Sequence, residues 1–144
     1  MSKDLNGIIT SWNNGAESLF GYRAEEVIGK PIMILIRADH PNEEPNILDR
    51  IRRGERIEPY ETVRRRKDGS PVEILLTVSP IRNAYGRVVG ASKIAHDISE
   101  RKRIQDEREQ LIREQAARKE AEESAKRMAA VARENVRLYE ELRQ

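Results

Sequence analysis

All eight glycines of this 144-residue chain lie at or before Gly90, and all six prolines lie at or before Pro80. The stretch from Ala91 to Gln144 contains neither. Glycine and proline are the residues that turn a backbone sharply or interrupt a helix. Within that stretch, residues 101–144 carry 12 basic and 10 acidic side chains among clusters of alanine, which is the composition of a long solvated helix. Residues 1–100 carry 15 charges of each sign together with every glycine and proline. The sequence therefore predicts a small α+β domain over 1–98, followed by a helix over 99–144.

The net charge of +2 gives no general attraction to polyanions, so nucleic acid is not expected as a partner. The chain has no cysteine. That excludes disulfides, thiolate catalysis, thiolate metal sites and a cysteine-linked chromophore. The longest apolar run, Ile32 to Ile36, is too short to span a bilayer, so no membrane partner is expected. Met1 is followed closely by Lys3 and Asp4, which does not fit a secretory signal, and a cytoplasmic location is expected.

Asn6-Gly7 is a hairpin signal, and Ile8, Ile9 and Thr10 after it suit a strand. Only Met1 to Lys3 precede the turn as its mate, so the chain reads as a fragment that starts inside a strand. Asn13 and Asn14 can cap a short helix ending at Gly21; Ala24 to Ile28 form a second, ended by Gly29; Pro31 opens a third turn through Ile36. Asp39 to Pro45 reads as a polar loop. Ile47, Leu48 and Ile51 then recur at helical spacing until Gly54. From Ile57 the period becomes two. Tyr60, Thr62 and Val63 lead into a turn at Lys67-Asp68-Gly69, and Val72, Ile74, Leu76 and Val78 alternate with Glu73, Leu75, Thr77 and Ser79. A loop at Asn83 to Gly86 precedes a last strand, Val88 to Ala95. Consecutive hairpins imply an antiparallel meander with the helices packed on one face. Arg64-Arg65-Arg66-Lys67, offset by Glu55, Glu58 and Glu61, reads as a solvated strand end.

The blocks Asn6 to Asn13, Gly15-Ala16-Glu17, Leu19 to Tyr22, Glu25 to Pro31, Glu61 to Gly69, Leu76 to Ile81, Val89 to Ile94 and Asp97 to Lys102 closely resemble, in this order, a bacterial PAS domain. The resemblance implies a five-stranded antiparallel sheet of order 2-1-5-4-3 with its first strand truncated. It also implies that Asp97-Ile98-Ser99 is the junction, of the Asp-Ile-Thr type, that passes a signal from the sensor to an effector. Asp97 or Ser99 can cap the helix that follows, Asp97 can pair with Arg101, and Ile98 can root the helix in the core.

No catalytic or metal constellation is present. His40 and His96 lie on different elements, and neither a phosphate loop nor a nucleophile elbow occurs. PAS domains that bind flavin covalently use a cysteine near residues 32–36, absent here. Haem-binding ones use a histidine on the longer helix, and Glu43 to Gly54 has none. No cofactor is expected, with a noncovalent flavin or small organic ligand left open. The apolar candidates for its pocket are Leu19, Phe20, Met33, Leu35, Ile47, Leu48 and Ile51, which serve equally as plain core. Trp12 reads as a packing residue.

Residues 99–144 as one helix would extend roughly 70 Å. Ile104 and Leu111 are seven apart, and Ala117, Ala121, Ser124, Met128, Val131, Asn135, Leu138 and Leu142 then keep alternating steps of four and three. That is a heptad seam, with a change of phase between Leu111 and Ala117. Asn135 at a core position favours a two-stranded parallel assembly. The end, Glu134 to Arg143, resembles helices that flank GAF or kinase modules, and no phosphoacceptor or cyclase motif follows. The expectation is a noncatalytic sensory and dimerisation module, a homodimer through helix and PAS domain, relaying a signal to an effector outside this chain such as a histidine kinase. The alternatives are a sensor holding flavin, haem or a metabolite, and a structural coiled-coil adaptor.

Overall fold

The computed structural model describes residues 1–144. Two compact units appear, Met1–Glu100 and Arg101–Gln144.

In the first unit, β1 (Ser2–Asp4) turns back into β2 (Ile9–Ser11). The Asp4 carboxylate accepts from the Asn6 and Ile8 amides at 2.8 and 3.0 Å, fixing the turn. Helix α1 (Asn14–Phe20) is capped by Asn13, whose side chain accepts from the Ala16 amide, and it ends at Gly21 with a φ of 80°. Helix α2 (Ala24–Val27) and a 3-10 turn (Ile32–Leu35) lead to α3 (Glu43–Arg52). Three longer strands follow, β3 (Ile57–Arg65), β4 (Pro71–Arg82) and β5 (Val88–Asp97). The sheet order is β2-β1-β5-β4-β3, with the pairs antiparallel.

Boundaries differ from the sequence reading in places: β5 runs to Asp97 rather than ending at Ala95. Glu43 to Pro45 belong to α3 rather than to the preceding loop. Proline in a first helical turn removes no intrahelical hydrogen bond, because that N–H has no partner there anyway.

The short first strand still bridges the sheet. Ser2 pairs with both Ser11 and Ser92, Lys3 with Ala91 and Asp4 with Gly90. The amide of Lys93 adds a bond to the Met1 carbonyl at 2.9 Å. Gly90 makes this approach possible: a Cβ on it would sit 2.4 Å from the Lys3 carbonyl oxygen. Gly90→Ala is therefore expected to push β1 off β5 and to lower stability by about 1–3 kcal/mol, read from the shift in urea midpoint.

Val72, Ile74, Leu76 and Val78 point inward from β4 and are fully buried. They meet Phe20, Leu35, Ile47 and Ile51 from the helical layer in one core. Trp12 packs on Phe20 with ring centroids 5.6 Å apart, and its indole N–H donates to the Tyr22 carbonyl at 2.9 Å.

The second unit belongs to α4 (Ser99–Leu142), none of whose residues is buried. Pairs one turn apart support it, among them Arg103–Glu107, Arg118–Glu122 and Arg137–Glu141. No helix of the chain is long and apolar enough to cross a membrane.

Candidate functional site

Glu43 and Glu44 open α3. Acids are favoured there by the free amides of a first helical turn. Successive helical positions diverge by about 100°, so the two carboxylates find different neighbours. Glu44 turns under the helix into the core. One of its oxygens meets the Lys3 ammonium, and the other accepts from Lys93 Nζ at 2.9 Å. Lys3 is the inward residue of β1, and Lys93 shares the inward phase of β5 with Ala91. Glu43 accepts from Tyr60 at 2.7 Å, Thr62 at 3.0 Å and Arg64 at 2.9 Å. Lys3, Glu44, Arg64 and Lys93 are each at most 4 % exposed.

Arg64 thus corrects the reading of residues 64–67 as a solvated strand end. Its guanidinium is buried against Glu43, because strand alternation turns it to the inner face with Tyr60 and Thr62. Glu55 instead pairs with Arg50 and Arg53. Lys67 pairs with Glu26.

Burial, which disfavours the charged form, pulls Lys3 down to about 5, helped by the charges of Lys93 and Arg64. Burial and then Arg64 pull Lys93 down to about 7. The contact with Lys3 and the charge of Glu43 oppose the shift of Lys93, but burial outweighs them. Burial pushes Glu43 upward, yet the hydrogen bonds from Arg64 and Tyr60 outweigh it and hold the carboxyl below its ordinary value. Tyr60 is pushed up to about 12 by burial and by Glu43.

This interior does not fit a flavin or haem. The space between α3 and the sheet is taken by four buried charged side chains, and a flat aromatic ligand would separate them from their partners at a cost of several kcal/mol. The seven apolar candidates fall in different surroundings. Phe20, Leu35, Ile47 and Ile51 lie within the packed core. Leu48 is buried, and Leu19 is half-buried. Met33 is 42 % exposed. Leu19 and Phe20 also border a cleft of about 600 Å³ beside Ile94 and His96. His40 and His96 are both exposed, and no group of three His, Asp or Glu side chains is placed to hold a metal ion.

At the end of β5 the Asp97 carboxylate accepts from the Ser99 amide at 2.9 Å and lies 3.6 Å from Arg66. The Ser99 hydrogen bonds hold its carboxyl below the ordinary value. Ile98 is buried, and its amide donates to the Glu73 carbonyl at 3.0 Å. Arg101 lies in the first turn of α4. Ile104, Leu111, Ala121, Met128, Val131, Asn135, Leu138 and Leu142 are all exposed on that helix.

The Lys3–Glu44–Lys93 cluster escaped the sequence reading. The signal available was phase: a lysine at the inward position of each of two strands, and two acids opening a helix.

The PAS domain profile matches residues 1–100. Over 101 residues the chain is 44% identical to two-component system protein A of Emericella nidulans, covering 69% of this chain and 14% of that protein. It is 30% identical over 102 residues to the signal transduction histidine-protein kinase AtoS of Escherichia coli, covering 71% of this chain and 16% of the kinase. The chain thus spans less than a fifth of the length of either relative. A solved PAS domain from Colwellia psychrerythraea superposes with a TM-score of 0.58 at 31% identity, covering 69% of this chain and 84% of that one. The chain belongs to the PAS domain family, and its residues 1–100 form a PAS sensory domain of the kind found in signal transduction proteins.

Proposed function

We propose that the chain is a noncatalytic PAS sensory and dimerisation module, residues 1–98, which relays its state through α4 to an effector of the histidine-kinase type. The observation that carries this reading is the exposed seam of α4. From Ala117 to Leu142 it repeats in steps of four and three, and its apolar members Met128, Val131 and Leu138 are 71 %, 60 % and 46 % exposed. A stripe of that length gains stability by pairing with a second helix. Asn135 within it favours two strands in parallel, since two such amides can meet across the seam. Asp97, Ile98 and Ser99 join β5 to the start of α4, so a change in the sheet has a short covalent path into the helix. Dimerisation couples that path to a partner module, because altered register or splay of paired helices is felt along their length.

The test is sedimentation equilibrium together with cross-linking of Met128→Cys. A dimer at micromolar concentration, cross-linked at this single position, is the expected result. A monomer throughout that range overturns the reading. An antiparallel pair, with Met128→Cys unlinked, overturns the parallel relay.

A further inference from the structure

We propose that Lys3, Glu44 and Lys93 form a proton-binding site inside the domain, so that the docking of β1 and α3 against β5 depends on pH. The argument begins with charge counting. Three cations with almost no exposure, Lys3, Lys93 and Arg64, face the buried Glu44 and the partly exposed Glu43. A dehydrated cluster is most stable when its charges balance, and releasing one lysine proton achieves that. Arginine cannot release one. Both amines contact the same carboxylate, so the remaining proton belongs to the pair rather than to either residue.

Every element packed around the site contributes. Lys3 comes from β1, Glu43 and Glu44 from α3, Arg64 and Tyr60 from β3, and Lys93 from β5. The Met1 amine donates to the Lys93 carbonyl at 3.3 Å. The inward residues of β4 are apolar. Both lysines are shifted downward, the direction that the charge count requires.

The sign follows from which state holds the proton. In the unfolded chain each lysine keeps its proton up to its ordinary value of 10.5. In the folded chain the cluster lacks one above about 7. Stability therefore rises with pH between those values and is lost as pH falls toward 7. Tyr60 titrates above this window.

The experiment is urea unfolding of the full chain between pH 7 and 9, followed by fluorescence of Trp12, the single tryptophan. The folding equilibrium constant is expected to rise about tenfold per pH unit. Lys93→Met and, separately, Lys3→Met leave two cations facing two anions, and each is expected to flatten the profile. Lys30→Met, an exposed control, should keep it. If the Met1 amine or a histidine carried the slope, both cluster variants would retain it, and that result overturns the proposal. Lysine side-chain NMR on the unmodified chain gives a measurement independent of variant folding: one amine titrating well below 10 supports the site, and two ordinary amines overturn it. These readouts follow unfolding and protonation within the domain, so their failure is distinguishable from a failure of helix pairing.

Discussion

Glu44→Ala is expected to lower the stability of the PAS domain by about 3–5 kcal/mol. That is a large share of the roughly 5–15 kcal/mol typical of a folded domain. The loss exceeds that of an ordinary surface ion pair because both partners of Glu44 are lysines with almost no exposure. Removing the carboxylate leaves two buried amines, and the proton they share, with no anion to face. Urea unfolding read at Trp12 measures the loss. Replacing all three residues together, with Lys3→Met, Glu44→Leu and Lys93→Met, should recover most of it, because apolar side chains of similar volume need no partner. A single Glu44→Ala variant as stable as the starting chain would show that the cluster is open to water.

Val131→Glu together with Leu138→Glu is expected to weaken the dimer at least a thousandfold, given about 1.5–3 kcal/mol for each buried side chain of this size, counted in both strands. The two positions are seven apart and so occupy the same heptad place. Ala129→Glu lies off the seam and should leave association unchanged. Asn135→Leu should tighten association while relaxing strand number and orientation, because the buried amide selects the pairing at some cost in stability. Sedimentation equilibrium over a concentration series separates these results. Equal dissociation constants for the seam and off-seam variants would remove the basis for a specific helix pair.

The fold was largely legible in the residues. Asn6-Gly7, Lys67-Asp68-Gly69 and Asn83 to Gly86 punctuate the three hairpins, because turns with left-handed backbone need particular residue types. The alternation of Val72 to Val78 follows from the two-residue period of a strand and matches the buried face of β4. Asn13 and Gly21 mark the ends of α1 through local hydrogen bonds. Such features depend on neighbours in sequence. The start of α3 was less legible because Pro45 reads as a loop residue until the free amides of a first turn are considered.

The interior was much less legible. Lys3, Arg64 and Lys93 belong to a chain with abundant surface charge, where a lysine is ordinarily solvated. Lys93 meets Glu44 from 49 residues away on another layer, and no local pattern encodes that meeting. The sequence by itself determined that a long helix follows the domain, since glycine and proline, which would interrupt it, are absent from its length. It also determined the turns and the alternation of the strands. Only the tertiary structure decided which charges lose their water, because desolvation depends on what the completed sheet and α3 bring together.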